Sequence, residues 1–309
     1  MSSEPTIPPP QIVAVTGATG LIGTALVGAL RTAGYGVRRL LHSPRGAQPG
    51  DVIWDSSSGA PPAGALEGVD AVVNLAGAPI ARRWTTARAH AIRESRVRTT
   101  EQLARALAAL ASPPRVLLSG SAVGYYGDRG DAALDESSGP GEGFLPSVCV
   151  EWERATAPAA SAGVRVVLLR TGIVLTPRGG ALGKLLPIFR LGGGGPLGSG
   201  TQWMSWIGLR DHVRAMLHAL ATDSVRGPVN LVAPNPVTNA DFAVTLGRVL
   251  RRPALVPVPA FALELLYGEM ARETLLTGQR VLPRALAAGG FEFATPTLEG
   301  APRAELATP

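Results

Sequence analysis

Three hydroxyl side chains that could act on a carbonyl group stand close together near the middle of the chain. Ser121, Tyr125 and Tyr126 lie in residues 120–128, which read GSAVGYYGD. A serine or tyrosine hydroxyl can donate a hydrogen bond to a carbonyl oxygen or exchange a proton with it. A turn with packed aromatic side chains would use the same residue types. These three hydroxyls are therefore the candidate catalytic groups, with a packing role as the alternative.

Three glycines have the spacing of a phosphate-binding turn. Gly17, Gly20 and Gly23 follow the apolar run 12–15, and apolar residues then recur at helical spacing as far as Arg31. Glycine lets the backbone approach a pyrophosphate, while the helix N-terminus offers unpaired N–H groups and the positive end of a dipole. This strand, turn and helix context predicts a dinucleotide site. A glycine-rich turn that binds nothing is the alternative.

The end of the second predicted strand bears on which dinucleotide binds. An Asp or Glu there would bind the ribose 2′-hydroxyl of NAD and repel the 2′-phosphate of NADP. The strand 35–41 is instead followed by His42, Ser43 and Arg45, with no acid among residues 42–45. Ser43 can donate to a phosphate, and His42 or Arg45 can supply positive charge. The sequence therefore predicts NADP (as NADPH) rather than NAD, and an ordinary polar turn is the alternative.

Arg96 is a charged residue on the apolar face of a predicted helix. It lies four residues after Ile92, on the stripe that also contains Leu103 and Leu107. An arginine turned toward a sheet must find an acceptor. That acceptor is either the cofactor or a carboxylate in a buried structural salt bridge.

Alternating apolar runs and helical periodicity predict the scaffold for these residues. The expected strands are Ile12–Val15, Tyr35–Leu41, Asp51–Trp54, Asp70–Leu75, Arg115–Ser119, Val164–Leu169 and Val229–Val232. The later expected helices are Thr86–Ala111, Phe144–Ala162 interrupted near Pro158, Leu182–Leu191, one begun or N-capped by Asp211 and running to Leu220, Asp241–Leu250 capped by Thr238, and Phe261 to about Thr277. This order predicts an α/β Rossmann fold, a doubly wound parallel sheet with a ligand crevice at the carboxyl ends of its strands.

Three regions are expected along the chain. Residues 1–11 form a disordered leader, residues 12–180 the Rossmann domain, and residues 181–309 mainly a smaller C-terminal α/β substrate lobe. Parts of 201–235 return to the Rossmann domain. Within the lobe, the glycine-rich stretch 192–206 is expected to be a substrate lid, with a passive connector as the alternative.

Composition excludes several classes of function. The net charge is +6 and the pI is about 10.3, but the arginines are scattered without interleaved aromatics, which argues against a nucleic-acid partner. The one cysteine, Cys149, allows no intrachain disulfide and no cysteine-based metal site. No run has the length of a membrane span, and the N-terminus lacks signal-peptide features. We expect a cytoplasmic monomer or homodimer that acts on a small molecule, with no metal and no membrane partner.

Several long stretches of the chain resemble one known family. They are GATGLIG, NLAGAPIARRW, SGSAVGYYGD, LLRTGIVL, LGGGGPLGSGTQWMSWI, NLVAPNPVTNADFA, GQRVLP and GFEF. They are similar to the NADP-binding epimerase family proteins, an atypical extended group of the short-chain dehydrogenase/reductases, also labelled sugar-nucleotide epimerase-like or cell-division-inhibitor-like. The similarity runs from about residue 12 to 299. It implies a Rossmann domain with NADPH and a small C-terminal substrate lobe.

The resemblance also implies which residues contact the cofactor. They are Gly17, Thr19, Gly20, Leu21 and Ile22 at the phosphates, His42 and Ser43 near the 2′-phosphate, and Leu75, Ala76, Gly77 and Arg96 along the crevice. Two positions depart from the family. His42 stands where arginine is common, and Arg45 could compensate. Gly208 stands where extended members place a histidine, although Asp211 is kept.

The catalytic pair of most short-chain dehydrogenases, Tyr-x-x-x-Lys, is absent from this chain. In that pair the lysine lowers the tyrosine pKa so that the hydroxyl can exchange a proton near neutral pH. None of the four tyrosines has a lysine four residues on, and the chain's one lysine is Lys184. The helix where the pair would lie offers Cys149 and Glu153 at that spacing.

Two hypotheses for function therefore stay open. The first is an NADP(H)-dependent oxidoreductase or epimerase-like enzyme in which Ser121 and Tyr125 or Tyr126 polarise a carbonyl or sugar-nucleotide-like substrate. The second is a redox sensor that binds NADP(H) without turnover. A third, a partner-binding role in cell division, has only the family labels behind it.

Overall fold

The structure is a computed structural model that describes residues 12–307, so the leader predicted for residues 1–11 lies outside the described residues. The strands are β1 (Ile12–Thr16), β2 (Gly36–Leu41), β3 (Val52–Ile53), β4 (Ala71–Asn74), β5 (Val116–Ala122), β6 (Ala133–Leu134), β7 (Arg165–Thr171), β8 (Ile173–Thr176), β9 (Trp203–Met204), β10 (Trp206–Gly208), β11 (Gly227–Leu231), β12 (Val237–Thr238) and β13 (Arg280–Val281). The helices are α1 (Leu21–Thr32), α2 (Thr86–Ala108), α3 (Phe144–Arg154), α4 (Ala157–Ser161), α5 (Gly180–Arg190), α6 (Leu209–Ala221), α7 (Asn239–Leu250), α8 (Ala260–Tyr267), α9 (Glu269–Thr274), α10 (Arg284–Ala288) and α11 (Gly300–Ala307).

A seven-stranded sheet forms the centre of the fold, in the order β11-β7-β5-β4-β1-β2-β3, and all its pairings are parallel. From β1 the chain builds outward in one direction through β2 and β3, then returns to build in the other through β4, β5, β7 and β11. The reversal between β1 and β4 opens a crevice at their carboxyl ends. The predicted doubly wound Rossmann fold is confirmed. The late strand β11 joins this sheet beside β7.

Apolar residues cover both faces of the sheet, as a buried parallel sheet requires. On one face Val13 and Val15 pack with Leu26 and Leu30 of α1. On the other face Ala14, Val72 and Leu117 pack with Leu103 and Leu107 of α2.

Two expected helices are broken by local backbone chemistry. The expected helix 261–277 is α8 and α9, separated at Gly268, whose φ of +61° is left-handed and interrupts helical geometry. The expected helix 144–162 is α3 and α4. Its break lies at residues 155–156 because Pro158 has no N–H to donate and is tolerated in the first turn of a new helix.

The expected role of Asp211 at the start of α6 is wrong. The helix begins at Leu209, and its N-cap, Gly208, makes no side-chain bond. The buried carboxylate of Asp211 accepts hydrogen bonds from the Ala294 and Thr295 N–H groups at 3.0 and 2.8 Å, and from the Thr295 hydroxyl at 2.8 Å. Asp211 therefore ties residues 294–295 to α6.

Asp211→Asn is expected to destabilise the protein by about 2–4 kcal/mol, because an amide cannot accept all these bonds and carries no charge. Burial alone would raise the pKa of Asp211, but the bonds from Thr295 and Ala294 outweigh it and the net pKa is lowered. Its contribution is therefore full above the unfolded pKa, about 3.9, and is lost as the pH falls below that value. Denaturant unfolding at neutral pH and near pH 3 measures it. Asp128→Asn, at an exposed site, is the matched control, and equal stabilities of the two variants would contradict the assignment.

Candidate functional site

The glycine turn between β1 and α1 excludes side chains at two of its positions. Gly17 has φ of +64°, and a Cβ there would lie 2.5 Å from the Leu75 carbonyl oxygen. A Cβ on Gly23 would lie 2.2 Å from the Gly17 oxygen. The Gly20 N–H donates to that same oxygen at 3.0 Å, which closes the turn. Only glycine at positions 17 and 23 lets α1 begin this close to β1.

The N-terminus of α1 has the features that favour a bound anion. Its N-cap, Gly20, supplies no side-chain bond, and its first turn has no acid. Among the described residues, nothing accepts a hydrogen bond from the N–H groups of Leu21 or Ile22. Thr19 and Gly20 are exposed, and Leu21 and Ile22 are half-buried. These residues fit the pyrophosphate of a dinucleotide, because the helix dipole and free N–H groups meet at a side-chain-free turn.

A chain of polar side chains fixes the edge of the crevice. The Thr16 hydroxyl donates to Asn74 Oδ1 at 2.6 Å, and Asn74 Nδ2 donates to the Thr100 hydroxyl at 2.8 Å. Thr100 also accepts from the Trp152 indole N–H at 2.9 Å. All four side chains are buried. This network links β1, β4, α2 and α3, and so fixes the turn 75–77 that follows β4.

Arg96 lies against that turn. Its Nη1 donates to the carbonyls of Ala78 and Ile92, both at 3.1 Å, and its guanidinium carbon is 5.1 Å from the centroid of the Trp152 ring. A Cβ on Gly77 would lie 3.1 Å from the Arg96 guanidinium carbon. No carboxylate within residues 12–307 pairs with Arg96, which removes the salt-bridge alternative. Burial lowers the pKa of Arg96, and its position beside the crevice fits a cofactor contact.

The end of β2 differs from the acid-free tip read from the sequence. His42, Ser43 and Arg45 are exposed there, as a 2′-phosphate site requires. Asp55, which follows β3, brings its Oδ1 to 3.3 Å from His42 Nδ1. Hydrogen bonds from Ser57 hold the pKa of Asp55 below its usual value, so this carboxylate is ionised at neutral pH. The sequence-based expectation rested only on the residues that directly follow β2. Asp55 follows β3 instead, and it reaches His42 because β2 and β3 are neighbours in the sheet.

The three candidate hydroxyls stand at the carboxyl end of β5, but their environments differ. The Ser121 hydroxyl donates to Glu153 Oε1 at 2.7 Å. Arg170, at the end of β7, donates to both oxygens of Glu153, at 2.8 and 2.9 Å. This bidentate pair is buried, with side chains 3% and 9% exposed. Burial alone would lower the pKa of Arg170, but the bonds to Glu153 dominate and raise it, so the guanidinium stays charged.

Tyr125 and Tyr126 occupy opposite situations beside Arg170. The Arg170 guanidinium carbon lies 3.5 Å from the Tyr125 ring centroid, and the half-buried Tyr125 hydroxyl has no hydrogen-bond partner among the described residues. Tyr126 is fully buried, donates to Asn230 Oδ1 at 2.7 Å and accepts from Arg170 at 3.0 Å. Burial raises the pKa of Tyr126 to about 12. Its hydroxyl is enclosed and bonded within the protein, which favours a structural role for Tyr126 over the predicted catalytic one.

Comparison with known proteins now decides the family. The model of the NAD dependent epimerase/dehydratase family matches residues 13–232, and a domain of unknown function (DUF1731) matches residues 258–304. The chain belongs to the NAD dependent epimerase/dehydratase family. The epimerase family protein MT2273 of Mycobacterium tuberculosis is 47% identical over 284 residues, 91% of this chain and 93% of that protein. The predicted resemblance to the epimerase family proteins is confirmed.

Two solved structures extend the comparison. Human epimerase family protein SDR39U1, crystallised with NADPH, superposes with a TM-score of 0.88 at 37% identity, over 96% of this chain and 99% of that one. A nucleoside-diphosphate sugar epimerase from Corynebacterium glutamicum superposes with a TM-score of 0.80 at 38% identity, over 96% of this chain and 58% of that one.

Cys149 and Glu153, four residues apart, both lie on α3. Cys149 is buried, and burial raises its pKa to about 12, so the thiol is neither a base nor a nucleophile near neutral pH. Glu153 is committed to Arg170 and Ser121. In the sequence, Arg170 is a charged residue at the end of an apolar strand, and such a position indicates a functional or paired side chain. The sequence did not indicate that its partner is Glu153.

The glycine-rich stretch expected to be a lid is bonded to the chain that follows α7. The Gly194 and Pro196 carbonyls accept from the N–H groups of Val256 and Val258, at 3.0 and 2.9 Å. Asn239 Oδ1 accepts from the Leu197 N–H at 2.7 Å. Its role as a lid stays a prediction.

Proposed function

We propose that this protein binds NADP(H) and reduces a small carbonyl compound, with Tyr125 as the hydrogen-bond and proton donor. The placement of Tyr125 carries the proposal. Its ring lies against the Arg170 guanidinium, and its hydroxyl has no partner among the described residues. Tyr125 follows β5, at the same edge of the sheet as the glycine turn. The human relative crystallised with NADPH supports the choice of cofactor.

The cofactor site is divided among three loops. The glycine turn and the N–H groups of Leu21 and Ile22 hold the pyrophosphate, and Ser43 and Arg45 bind the 2′-phosphate. Arg96 lines the crevice beside the turn 75–77. When bound, NADPH supplies hydride. The chain's own residues orient the carbonyl and provide the proton.

Tyr125 is the hydroxyl available for that proton. The Ser121 hydroxyl donates its hydrogen bond to Glu153, and the Tyr126 hydroxyl donates its hydrogen bond to Asn230. The Arg170 guanidinium packs against the face of the Tyr125 ring, and this cation–π contact holds the side chain in position. Glu153 positions Arg170 for this role without touching substrate.

Tyr125→Phe is expected to lower kcat for carbonyl reduction by about a hundredfold or more, with NADPH affinity unchanged, because only the donor is lost. Tyr126→Phe is expected instead to lower the free energy of unfolding by about 1–3 kcal/mol, since Asn230 and Arg170 lose a buried partner. The measurement is the rate of NADPH oxidation, followed by absorbance, across a panel of aldehydes, ketones and nucleotide sugars. Full activity in Tyr125→Phe would reject Tyr125 as donor.

Asp55→Asn is expected to raise the affinity for NADPH by about three- to tenfold and leave that for NADH unchanged, because a carboxylate beside the 2′-phosphate repels it. Fluorescence titration with both cofactors measures this. Glu67→Gln removes an equal charge at another exposed site and serves as control. An equal gain for both cofactors would show that residue 55 does not face the 2′-phosphate.

A second candidate function is a redox sensor that binds NADP(H) without turnover. The absence of Tyr-x-x-x-Lys from the sequence favours it. It predicts NADPH binding with a change in protease sensitivity and no NADPH oxidation by any compound in the panel. Oxidation that Tyr125→Phe abolishes would exclude it.

A further inference from the structure

Exposed large hydrophobic side chains are concentrated in one part of the surface. Of the ten that the described residues expose, eight lie in two segments, 188–191 and 255–267. Leu191 is 89% exposed, Leu255 is 81% exposed, and Phe261 and Leu265 are each 73% exposed. Single exposed hydrophobic residues are ordinary, but such a concentration marks a binding surface.

The two segments lie side by side although they are far apart in the sequence. Val256 N–H donates to the Gly194 carbonyl at 3.0 Å, and Arg252 Nε donates to the Arg190 carbonyl at 2.9 Å. The end of α5 therefore adjoins the chain that leads into α8. We call the exposed hydrophobic residues of segments 188–191 and 255–267 the apolar patch.

The chain segments that carry the apolar patch contain more positive than negative charge. Residues 178–196 contain Arg178, Lys184 and Arg190 and no acid. Residues 251–267 contain Arg251 and Arg252 and one acid, Glu264, which pairs with Arg272 at 2.9 Å. The five cations of the two segments are exposed, and no carboxylate in the described part of the chain pairs with them.

We propose that the apolar patch docks this protein on a membrane surface that contains anionic phospholipid. Its aliphatic and aromatic side chains would enter the boundary between headgroups and acyl chains, while the surrounding cations meet lipid phosphates. A second copy of this chain is a poorer occupant, because a two-fold contact would place the same positive charges opposite one another.

Docking of this kind needs no membrane span. Among residues 12–307, no helix is long and apolar enough to cross a membrane. The sequence-based expectation of no membrane partner rested on the lack of an apolar run of that length. It could not reveal a patch assembled from two short segments.

The patch adjoins the loop that follows β4. Arg83 Nη1 donates to the Leu265 carbonyl at 2.6 Å, and Lys184 Nζ donates to the Ala81 carbonyl at 3.4 Å. Docking would therefore hold the carboxyl edge of the sheet near the lipid surface. The proposal goes beyond the proposed function and does not depend on it.

Vesicle flotation of the full-length protein tests the proposal. The vesicles are phosphatidylcholine alone, or phosphatidylcholine with about one third phosphatidylglycerol. The apolar variant is Phe261→Ser with Leu265→Ser, and its control is Ile53→Ser with Val244→Ser, at exposed positions outside the patch. The charge variant is Arg190→Gln with Arg251→Gln. Its control, Arg31→Gln with Arg226→Gln, changes the same charge at the end of α1 and before β11.

The wild type is expected to float with the anionic vesicles and to bind neutral ones about tenfold more weakly. The apolar variant and the charge variant should each lose about tenfold in affinity, high salt should weaken binding, and both controls should bind as the wild type does. Thermal unfolding checks that each variant is folded. No flotation of the wild type, or equal flotation of the apolar variant and its control, would overturn the proposal. A dimer that only the apolar variant disrupts, without vesicle binding, would overturn it in favour of a second copy.

Discussion

Gly23→Ala is expected to abolish NADP(H) binding, while Gly28→Ala on the same helix leaves it intact. A Cβ at residue 23 would lie 2.2 Å from the Gly17 oxygen and 2.9 Å from the Ala18 Cα, both backbone atoms that cannot move without opening the turn. A Cβ at residue 28 would meet nothing within 4 Å. Displacing α1 separates its N-terminal N–H groups from the pyrophosphate, so we expect a loss of at least about a hundredfold in affinity.

Fluorescence titration with NADPH measures this loss, and thermal unfolding shows whether each variant is folded. Gly28→Ala should be as stable as the wild type or more stable by up to about 1 kcal/mol, since alanine is the better helix former. If folded Gly23→Ala binds NADPH as the wild type does, the glycine turn is not the phosphate site.

Glu153→Gln is expected to destabilise the protein by about 3–5 kcal/mol, because it leaves the buried charge of Arg170 uncompensated. Glu151→Gln, on the same helix, is the matched control. Glu151 pairs with Arg93, and both side chains are more than a third exposed, so its loss should cost about 0–1 kcal/mol.

Denaturant unfolding compares these two variants. The double variant Glu153→Met with Arg170→Met should recover part of the loss, because it removes both charges together. Equal effects at positions 151 and 153 would show that the Glu153–Arg170 pair is not the buried electrostatic centre of the site. In Glu153→Gln, kcat should also fall if Arg170 must be held beneath Tyr125.

The sheet was predictable from sequence because most of its strands contain a short apolar run bounded by turn residues. The strand predicted for residues 12–15 illustrates this. The helix capped by Thr238 was predictable for a similar reason, because its capping residue and its apolar spacing are both local in sequence. The break at Gly268 was missed because the apolar residues on its two sides keep helical spacing. Glycine alone does not show that a left-handed residue is required.

The cofactor turn was predictable and the chemistry beside it was not. Gly17, Gly20 and Gly23 act through local backbone geometry, so their spacing was sufficient. Glu153 of α3 meets Arg170 of β7, and Asp55 after β3 meets His42 after β2, only through the packing of separate elements. Tyr125 and Tyr126 are adjacent in sequence, and only packing shows that one residue is half-buried and the other fully buried.

The binding of NADPH and NADH to the unmodified protein tests the central claim most directly. Equilibrium titration should show one saturable NADPH site with an affinity about tenfold or more above that for NADH, because Ser43 and Arg45 are proposed to make charge-assisted bonds to the 2′-phosphate. Equal affinities for the two cofactors, or binding of neither, would contradict it.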